Sequence, residues 1–327
     1  MSSVSAFRTS KEETMKYINE IKEGEQVVEH YLCKSRQTFK SKNDKNYLSL
    51  KLADKTGTVD AKVWNLGNEI QSFSENDMIK IDATAQIFNN EIQLNVKRIR
   101  RSKDGEYDPA DYIPSTEKDI KSMWVEFTSY INIIKNQHIK ELLEKIFLKN
   151  TFVAKEFSIH SAAKSVHHGY LGGLLEHSLS VTQICDFMAD KYKFVDRDVL
   201  VASAMLHDVG KLWELSEFPL NDYTDDGQLL GHIYIGAELV EKTASGIDGF
   251  PDRLKTILKH CILSHHGEYE YGSPVLPKTL EAHILHCADD MDAKSKVFEE
   301  FISADSTAGP WAGYHKMMGR NIRKTEY

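Results

Sequence analysis

The residues in this sequence most able to do chemistry are a histidine and an aspartate side by side, His207 and Asp208. They stand in AMLHDVGKL (204–212), at the end of an apolar run whose spacing is typical of a helix face that packs into a core. A buried carboxylate without a partner is strongly unfavourable, or its pKa rises until it is neutral. The pair is therefore either exposed, or compensated by a partner that other parts of the chain must supply.

Three further helical patterns carry polar residues on their apolar faces. His177 lies on one face with Val181. Asp289 lies on another with Leu285, and a third apolar stripe runs directly into His265–His266. One histidine on an apolar face is most often a satisfied core residue, but several histidines and two aspartates in one helical domain are harder to explain in that way. A divalent cation would compensate them together, because imidazole and carboxylate groups are its ordinary ligands.

The order of these residues resembles that of the HD superfamily of metal-dependent phosphohydrolases. The motifs are GGLLEHSLSV, LHDVGK, GHIYIG, LSHHG and HCADDMD, between about residues 160 and 300. The resemblance implies an all-helical domain in which a first metal is bound by His177, His207, Asp208 and Asp289. It implies that His232 and His265 hold a second metal or the substrate phosphate, with Asp208 able to bridge. His266 is a further candidate for the same shell.

Such a site suits hydrolysis of a phosphodiester. A metal lowers the pKa of its bound water, and two metals stabilise both the attacking and the leaving oxygen. We expect Asp208 and His232 to be catalytic through this site, and Lys211 to contact a phosphate or a developing negative charge. The alternative for Lys211 is a surface lysine that caps its helix. His167 and His168, just before the first motif, are candidates for a substrate pocket.

The chain before these motifs has the periodicity of strands. Asn46–Leu52 and Thr58–Trp64 alternate between apolar and polar residues around the turn Asp54–Gly57. Ile79–Ala83 and Ile92–Val96 make a second predicted hairpin. Short strands with regular turns and no intervening helices predict a small β-barrel between about residues 25 and 101.

This stretch resembles an OB-fold of the nucleic-acid-binding kind, and the sequence YLSLKLADKTGTVDAKVWN (47–65) carries the resemblance. A predicted basic loop, 34–45, and a second basic run, 97–103, fit a groove that follows a single-stranded backbone. The alternative is that these charges form only a solvated surface. The candidate nucleic-acid contacts are Lys34, Arg36, Phe39, Lys40, Lys42, Lys45, Arg98 and Arg100.

Aromatic side chains on such a barrel can stack on bases. Phe39, Trp64 and Phe88 are possible platforms. For Trp64, its place at the end of an alternating strand favours the barrel core instead.

The expected fold class is multidomain α+β. We predict an N-terminal segment (1–20), an OB-fold domain (21–105), a linker with two prolines (106–116), an all-α HD domain (117–306) and a tail (307–327). The tail either docks on its domain or on a neighbouring subunit, or it is an unattached terminus.

Composition is that of a soluble globular protein, with 41% hydrophobic and 28% charged residues in 327. The net charge of −8 weighs against strong duplex binding but says little about a narrow single-strand groove. No run approaches the ~20 apolar residues of a membrane span, and the first residues lack the apolar segment of a signal peptide. The four cysteines are far apart and form no CxxC, which favours reduced thiols in a cytoplasmic protein.

Over nearly its whole length the chain resembles the YhaM family of bacterial 3′–5′ exoribonucleases. ADYIPST (110–116) and HHGYLGGLLEHSLSV (167–181) carry this closer match. The family implies a cytoplasmic homo-oligomer, not bound to a membrane, that uses one or two manganese or cobalt ions. It would degrade single-stranded RNA, and often single-stranded DNA, from the 3′ end to 5′-mononucleotides.

Two alternatives remain open. The HD domain could be a nucleotidase or (d)NTP phosphohydrolase with the barrel as a sensor, which would make free nucleotides its substrates. The chain could also be a non-catalytic replication factor that binds single-stranded nucleic acid or DNA and needs no metal ligand.

Overall fold

The computed structural model describes residues 15–41, 44–67, 69–89, 91–103, 105–108, 111–112, 115–163, 169–217, 221–305, 307 and 309–325. The chain divides into two compact units, Met1–Pro114 and Ser115–Tyr327. Within the described ranges, every helix is too short or too polar to cross a membrane.

The first unit contains a closed five-stranded barrel with the strand order β1-β2-β3-β5-β4. Strands β3 and β5 pair in parallel, and the other neighbours are antiparallel. The predicted small barrel of the OB type is confirmed. Its strands are β1 (Gln26–Lys40), β2 (Asn46–Asp54), β3 (Gly57–Val63), β4 (Met78–Phe88) and β5 (Glu91–Arg101).

Both predicted hairpins are present. Strands β2 and β3 pair from Leu48↔Val63 to Asp54↔Gly57, which leaves a two-residue turn. Strands β4 and β5 pair up to Phe88↔Glu91, and Asn89 in the turn has a φ of 52°, which asparagine tolerates better than most residues. Alternate residues of these strands fill the barrel interior, as the period of two requires.

Two details of the barrel differ from prediction. The stretch predicted as a basic loop is mostly strand, because β1 continues to Lys40 and pairs with Asn46. The prediction that Trp64 lies in the core is wrong, since its side chain is 48% exposed. Val59, Ala61 and Val63 point inward along β3, so the next position in the alternation points outward.

The segment predicted as a linker, 106–116, begins in contact with the barrel. The backbone N–H of Lys55 donates to the carbonyl of Asp111 at 2.8 Å, and the Tyr17 hydroxyl donates to the Asp111 carboxylate at 2.5 Å. Tyr112 is buried. The division between the two units falls after Pro114.

The second unit is helical up to residue 303 and ends in a short β-hairpin. A π-helical turn (Glu144–Lys149) follows the second helix. The helices are α1 (Ile120–Ile133), α2 (Gln137–Leu143), α3 (Thr151–Ile159), α4 (Gly173–Ala189), α5 (Arg197–Leu206), α6 (Lys211–Glu214), α7 (Asp225–Ser245), α8 (Asp252–Ser264) and α9 (Leu280–Ser303).

The core of the helical unit forms where the predicted apolar faces meet. Met123, Phe127 and Ile131 are buried on α1, and their four-residue spacing places them on one face of the helix. The ring of Phe127 lies 5.2 Å from that of Phe147 and 5.3 Å from that of Phe157. Aromatic contacts of this kind stabilise a core beyond the area that they bury.

The tail docks on its own domain through a hairpin of β6 (Trp311–His315) and β7 (Arg320–Arg323). The ring of His315 meets that of Phe301 on α9 edge-on at 4.8 Å. The Lys324 ammonium lies 2.8 Å from the Asp305 carboxylate.

Candidate functional site

Five helices of the second unit bring the predicted metal ligands together. His177 lies in α4 and His207–Asp208 directly follow α5. His232 lies in α7, His265–His266 follow α8, and Asp289 lies in α9. These side chains come from positions far apart in the sequence and meet in one buried cluster.

One half of the cluster is the group His177, His207 and Asp289. The Nε2 atom of His177 lies 3.1 Å from an Asp289 oxygen and 3.2 Å from the Nε2 atom of His207. Ligand atoms that share an ion at about 2.1 Å lie roughly 3–3.5 Å from one another. These separations therefore suit a shared metal ion.

The other half is the group His232, His265 and His266, whose ring nitrogens lie within 4.8 Å of one another. Asp208 stands between the two groups. Its Oδ2 atom is 3.5 Å from the Nε2 atom of His177 and 3.4 Å from that of His207. Its Oδ1 atom is 3.5 Å from the Nε2 atom of His232 and 3.7 Å from that of His265. Each oxygen of one carboxylate thus faces a different group.

Main-chain carbonyls orient three of the histidines. The Nδ1–H groups of His207, His265 and His266 donate to the carbonyls of Ala204, Ile262 and Tyr271 at 2.8, 2.7 and 2.8 Å. A proton on Nδ1 leaves the Nε2 lone pair for a metal. The local chain geometry thus fixes the tautomer that a metal site needs.

Carboxylates orient the other two histidines. The Nδ1–H of His177 donates to Asp292 at 2.7 Å, and the Nδ1–H of His232 donates to Glu214 at 2.8 Å. The backbone N–H of His232 also donates to Glu214, at 2.9 Å. Asp292 lies three residues after Asp289 and so shares its face of α9. Sequence reasoning missed Glu214, because nothing in KLWE marks it.

We expect Glu214→Gln to weaken Mn²⁺ binding by about 10- to 100-fold, because His232 would lose the charged group that orients it. Calorimetric titration of the metal-stripped variant measures this affinity. Glu238→Gln is the matched control, since Glu238 is a half-exposed partner of Lys242 on α7, the helix that carries His232. Equal Mn²⁺ affinity in both variants would show that Glu214 does not support the site.

The charges of the cluster hold one another in their ionised forms. Burial alone would raise the pKa of Asp208, but the Lys211 ammonium and His207 outweigh it and hold the pKa well below its usual range. Burial would lower the pKa of His177, yet hydrogen bonds to Asp289 and Asp292 raise it to about 10. The surroundings of His177 therefore favour a cation at this position.

Lys211 is not the surface lysine of the alternative interpretation. Its side chain is 16% exposed and its ammonium lies 2.6 Å from Asp208. Burial would lower its pKa, but Asp208 raises it, so the ammonium stays charged.

The residues present fit a metal on a further observation. Among the described residues, three buried atoms of the cluster lack a hydrogen-bond partner: Oδ1 of Asp208 and Nε2 of His232 and His265. Buried polar atoms are nearly always paired, and an ion is one of the accepted explanations for an unpaired one. The Nε2 atoms of His232 and His265 both face Oδ1 of Asp208, so the three unpaired atoms lie together.

A cavity of about 370 Å³ opens onto the cluster. Lys211 lines it together with two candidate ligands of the first group, His177 and Asp289, and with Asp208. The cavity is also lined by Ala162, Ala163, His266, Tyr271, His286, Asp290 and Ala293. A phosphate in this cavity would meet both the cluster and the lysine.

Gly210 lies where two helices meet beside the cluster. Helix α5 ends at Leu206, and Gly210 has ordinary helical angles, φ −64° and ψ −20°, at the start of α6. A Cβ at this position would lie 2.0 Å from the carbonyl oxygen of His232. Glycine is needed here because α6 and α7 approach closely beside the cluster.

Gly210→Ala should therefore shift α7 at His232, destabilise the protein by about 1–3 kcal/mol and reduce activity. Urea unfolding followed by circular dichroism gives the free energy, and metal-dependent hydrolysis gives the activity. Gly246→Ala is the control, because its Cβ would meet its nearest neighbour at 3.4 Å. If the Gly210 variant is as stable and active as the control, the close approach is unimportant.

The barrel residues predicted to bind nucleic acid differ in their surroundings. Arg98 lies 3.4 Å from Glu69, and Arg100 makes a two-pronged ion pair with Glu106 at 2.7 and 3.0 Å. Lys40 lies 3.0 Å from Asp44. Lys34, Arg36, Phe39 and Lys45 are exposed. Lys42, like the predicted pocket residues His167 and His168, lies outside the described residues.

An aromatic row on the outside of the barrel joins two of the predicted platforms, Phe39 and Trp64, through Tyr47, which sequence reasoning missed. Tyr47 stacks between Phe39 and Trp64, with ring centroids 5.8 and 4.6 Å away. The Lys62 ammonium lies 5.9 Å from the centre of the Tyr47 ring. Flat rings beside a cation are the groups that bind bases and phosphates of single strands.

The chain is similar to known proteins of three kinds. The HD domain family matches residues 174–294. The chain is 35% identical to the 3′-5′ exoribonuclease YhaM of Bacillus velezensis, over 83% of this chain and 86% of that one. It is 33% identical to the enzyme of the same name from a Geobacillus species, over 84% and 85%. The second OB-fold domain of replication protein A from Methanococcus maripaludis matches with a TM-score of 0.23 and 15% identity, covering 29% of this chain and 100% of that domain.

The fold and the cluster define an HD-domain, divalent-metal-dependent phosphohydrolase joined to a five-stranded barrel. Sequence identity over most of both chains then sets the family. The chain belongs to the YhaM family of 3′–5′ exoribonucleases.

Proposed function

We propose that this protein degrades single-stranded RNA from the 3′ end and releases 5′-mononucleotides. The barrel holds the strand, and the histidine and aspartate cluster is the place of phosphodiester hydrolysis. The observation that carries the proposal is the position of Asp208, with one oxygen facing each group of possible metal ligands. Such a pair of neighbouring sites is the arrangement of two-metal phosphodiester hydrolysis.

The metal ligands are His177, His207, Asp208 and Asp289 on one side, and His232, His265 and His266 with Asp208 on the other. Their donor atoms are nitrogen and oxygen, a set that suits Mn²⁺, Co²⁺ and other transition metals. When bound, such ions would supply activated water near neutral pH and stabilise the oxygens of the reacting phosphate.

The chain's own residues prepare the substrate for that chemistry. Lys211 reaches the cavity with a charged ammonium held by Asp208, where it neutralises an incoming phosphate. Glu214 and Asp292 hold the rings of His232 and His177, so that binding of the phosphate needs no rearrangement of these side chains. Fixed dipoles and charges of this kind favour the transition state because they need not reorganise during the reaction.

The outside of the barrel carries aromatic rings beside a lysine, as surfaces that bind single-stranded nucleic acid do. The row of Phe39, Tyr47 and Trp64 offers faces to successive bases, and Lys62 stands beside it. Arg98 and Arg100 of the second basic run already have acidic partners. Lys40 likewise has an acidic partner, Asp44. We therefore place the strand along the aromatic row, with Lys34, Arg36 and Lys45 as the phosphate contacts.

Trp64→Ala is expected to weaken binding of single-stranded RNA by about five- to 100-fold, because one stacking face is lost. Fluorescence anisotropy with a labelled oligoribonucleotide measures the affinity, in the Asp208→Asn background so that the strand is not degraded. Val28→Ala is the control, because Val28 is an exposed side chain in the part of β1 that pairs with β4, away from Phe39. Wild-type affinity in the Trp64 variant would place the strand elsewhere.

The proposal is tested by incubating metal-stripped protein with 5′-labelled single-stranded RNA, with and without Mn²⁺. We expect a ladder that shortens from the 3′ end only when the metal is present. An intact strand together with phosphate release from free nucleotides would indicate a nucleotidase instead. Binding without any hydrolysis would indicate a non-catalytic binding protein. The use of manganese, the homo-oligomer and the cytoplasmic location stay predictions.

A further inference from the structure

We infer that Tyr271 is the platform on which the base of the 3′-terminal nucleotide stacks while its phosphodiester is hydrolysed. The inference rests on the proposed exoribonuclease function and assigns a nucleobase subsite to the same cavity. It makes Tyr271 a residue that positions the substrate and sets the preference for an intact terminal nucleotide.

The first observation is the composition of the cavity. Its lining combines the charged cluster with one exposed aromatic side chain, and among the described lining residues Tyr271 is the only Tyr, Phe or Trp. The Tyr271 side chain is 59% exposed, so its ring is available to a ligand. Every nucleobase has a flat face, and aromatic stacking binds such faces without regard to sequence. An exonuclease that removes every nucleotide in turn needs a base contact of this sequence-tolerant kind.

The second observation is the attachment of Tyr271 to the cluster. Its carbonyl accepts the hydrogen bond from Nδ1–H of His266 at 2.8 Å, so the tyrosine backbone is joined directly to a candidate metal ligand. The base and the phosphate of one nucleotide are separated by a single ribose. A platform for the terminal base must therefore lie beside the group that holds the terminal phosphate, and Tyr271 does.

The turn that carries Tyr271 is held in place on both sides. It is a single 3-10 turn, Tyr269–Tyr271, closed by the N–H of Gly272 donating to the carbonyl of Tyr269 at 3.0 Å. Before it, Gly267 has a φ of 79° and lies so close to His286 that a Cβ would be 2.2 Å from its ring. A platform fixed before the substrate arrives loses little conformational entropy on binding.

Tyr269 provides a matched comparison within the same turn. Its side chain is 66% exposed, similar to that of Tyr271, but it is not among the residues that line the cavity. A general effect of removing an exposed tyrosine would appear in both variants. An effect specific to the subsite would appear only at Tyr271.

The kinetic test measures release of the first nucleotide from two RNA strands, one with a normal 3′ end and one whose last residue lacks its base. In the wild type and in Tyr269→Ala, the abasic end should lower kcat/KM by about five- to 100-fold. Tyr271→Ala should lose the same factor on the normal end and show no further loss on the abasic end. Tyr271→Phe keeps the ring and should behave as the wild type. A Tyr271→Ala variant that still discriminates between the two ends would overturn the inference.

A binding measurement separates this inference from the proposed function. Calorimetry compares 5′-AMP with ribose 5-phosphate on the Mn²⁺-loaded protein, and the nucleotide should bind more tightly in the wild type but not in Tyr271→Ala. This comparison needs no turnover. If the wild type hydrolyses no RNA, the exoribonuclease proposal fails while the binding comparison still decides the role of Tyr271. Equal loss of 5′-AMP affinity in Tyr269→Ala and Tyr271→Ala would refute the specific platform.

Discussion

Asp208→Asn is expected to lower kcat for RNA hydrolysis by roughly 10³-fold or more while affinity for the RNA strand is unchanged. Asn keeps the size of the side chain but removes the negative charge that faces both groups of histidines. One amide cannot replace a carboxylate between two cations, because its nitrogen carries donors and offers no lone pair to a metal. In the proposed function the barrel binds the strand, so the affinity for the strand should not respond.

Single-turnover hydrolysis of 5′-labelled RNA gives the rate, and anisotropy gives the affinity for the strand. Asp252→Asn is the control, because Asp252 is a highly exposed carboxylate at the start of α8 in the same unit. Circular dichroism checks that both variants are folded, since Lys211 loses its charged partner in the Asp208 variant. Hydrolysis at the control rate would mean that the cluster is not the place of reaction.

Removal of metal with a chelator is expected to abolish hydrolysis and to lower the melting temperature of the protein. Folding brings the metal-ligating nitrogen and oxygen atoms of the cluster together. A metal ion therefore binds the folded state and not the unfolded one. At 100 times the dissociation constant, one bound ion stabilises by about 2.7 kcal/mol. For a unit of this size that corresponds to a rise of roughly 5–10 °C.

Differential scanning fluorimetry during Mn²⁺ titration follows the melting temperature, and the RNA ladder follows the activity. Both should recover together on addition of Mn²⁺, at the same metal concentration. The Asp208→Asn variant is the comparison, since its melting temperature should respond much less to Mn²⁺. Hydrolysis that persists after complete chelation would contradict a metal mechanism.

The architecture was predictable because periodicity is a local property of the chain. The alternation in Asn46–Leu52 and the helical spacing of Met123, Phe127 and Ile131 each specify which side chains are buried. Trp64 was predicted wrongly because it directly follows the inward-pointing Val63, so the alternation along β3 turns its side chain outward. The length of β1 was missed because its basic residues are typical of loops, although they occupy the outward face of a paired strand.

The ligands of the cluster could be named from the sequence because each is an anomaly, a polar residue on an apolar helix face. Glu214 could not be named, since it meets His232 only in the folded structure, where α6 and α7 pack closely at Gly210. The position of Tyr271 at the cavity could not be predicted either, because it depends on the turn between α8 and α9. Residues that act through tertiary neighbours leave little trace in local spacing.

Two of the cluster histidines also terminate the helices that carry them. His207 is the C-cap of α5 and His265 the C-cap of α8, and each ring donates to the carbonyl three residues earlier in its own last turn. The last four carbonyls of a helix have no partner within it, so these rings satisfy one of them. Fraying of either helix end would release a ligand before the domain unfolds. The residence time of a bound ion is thereby linked to the opening rate of these two helix ends, which amide hydrogen exchange reports.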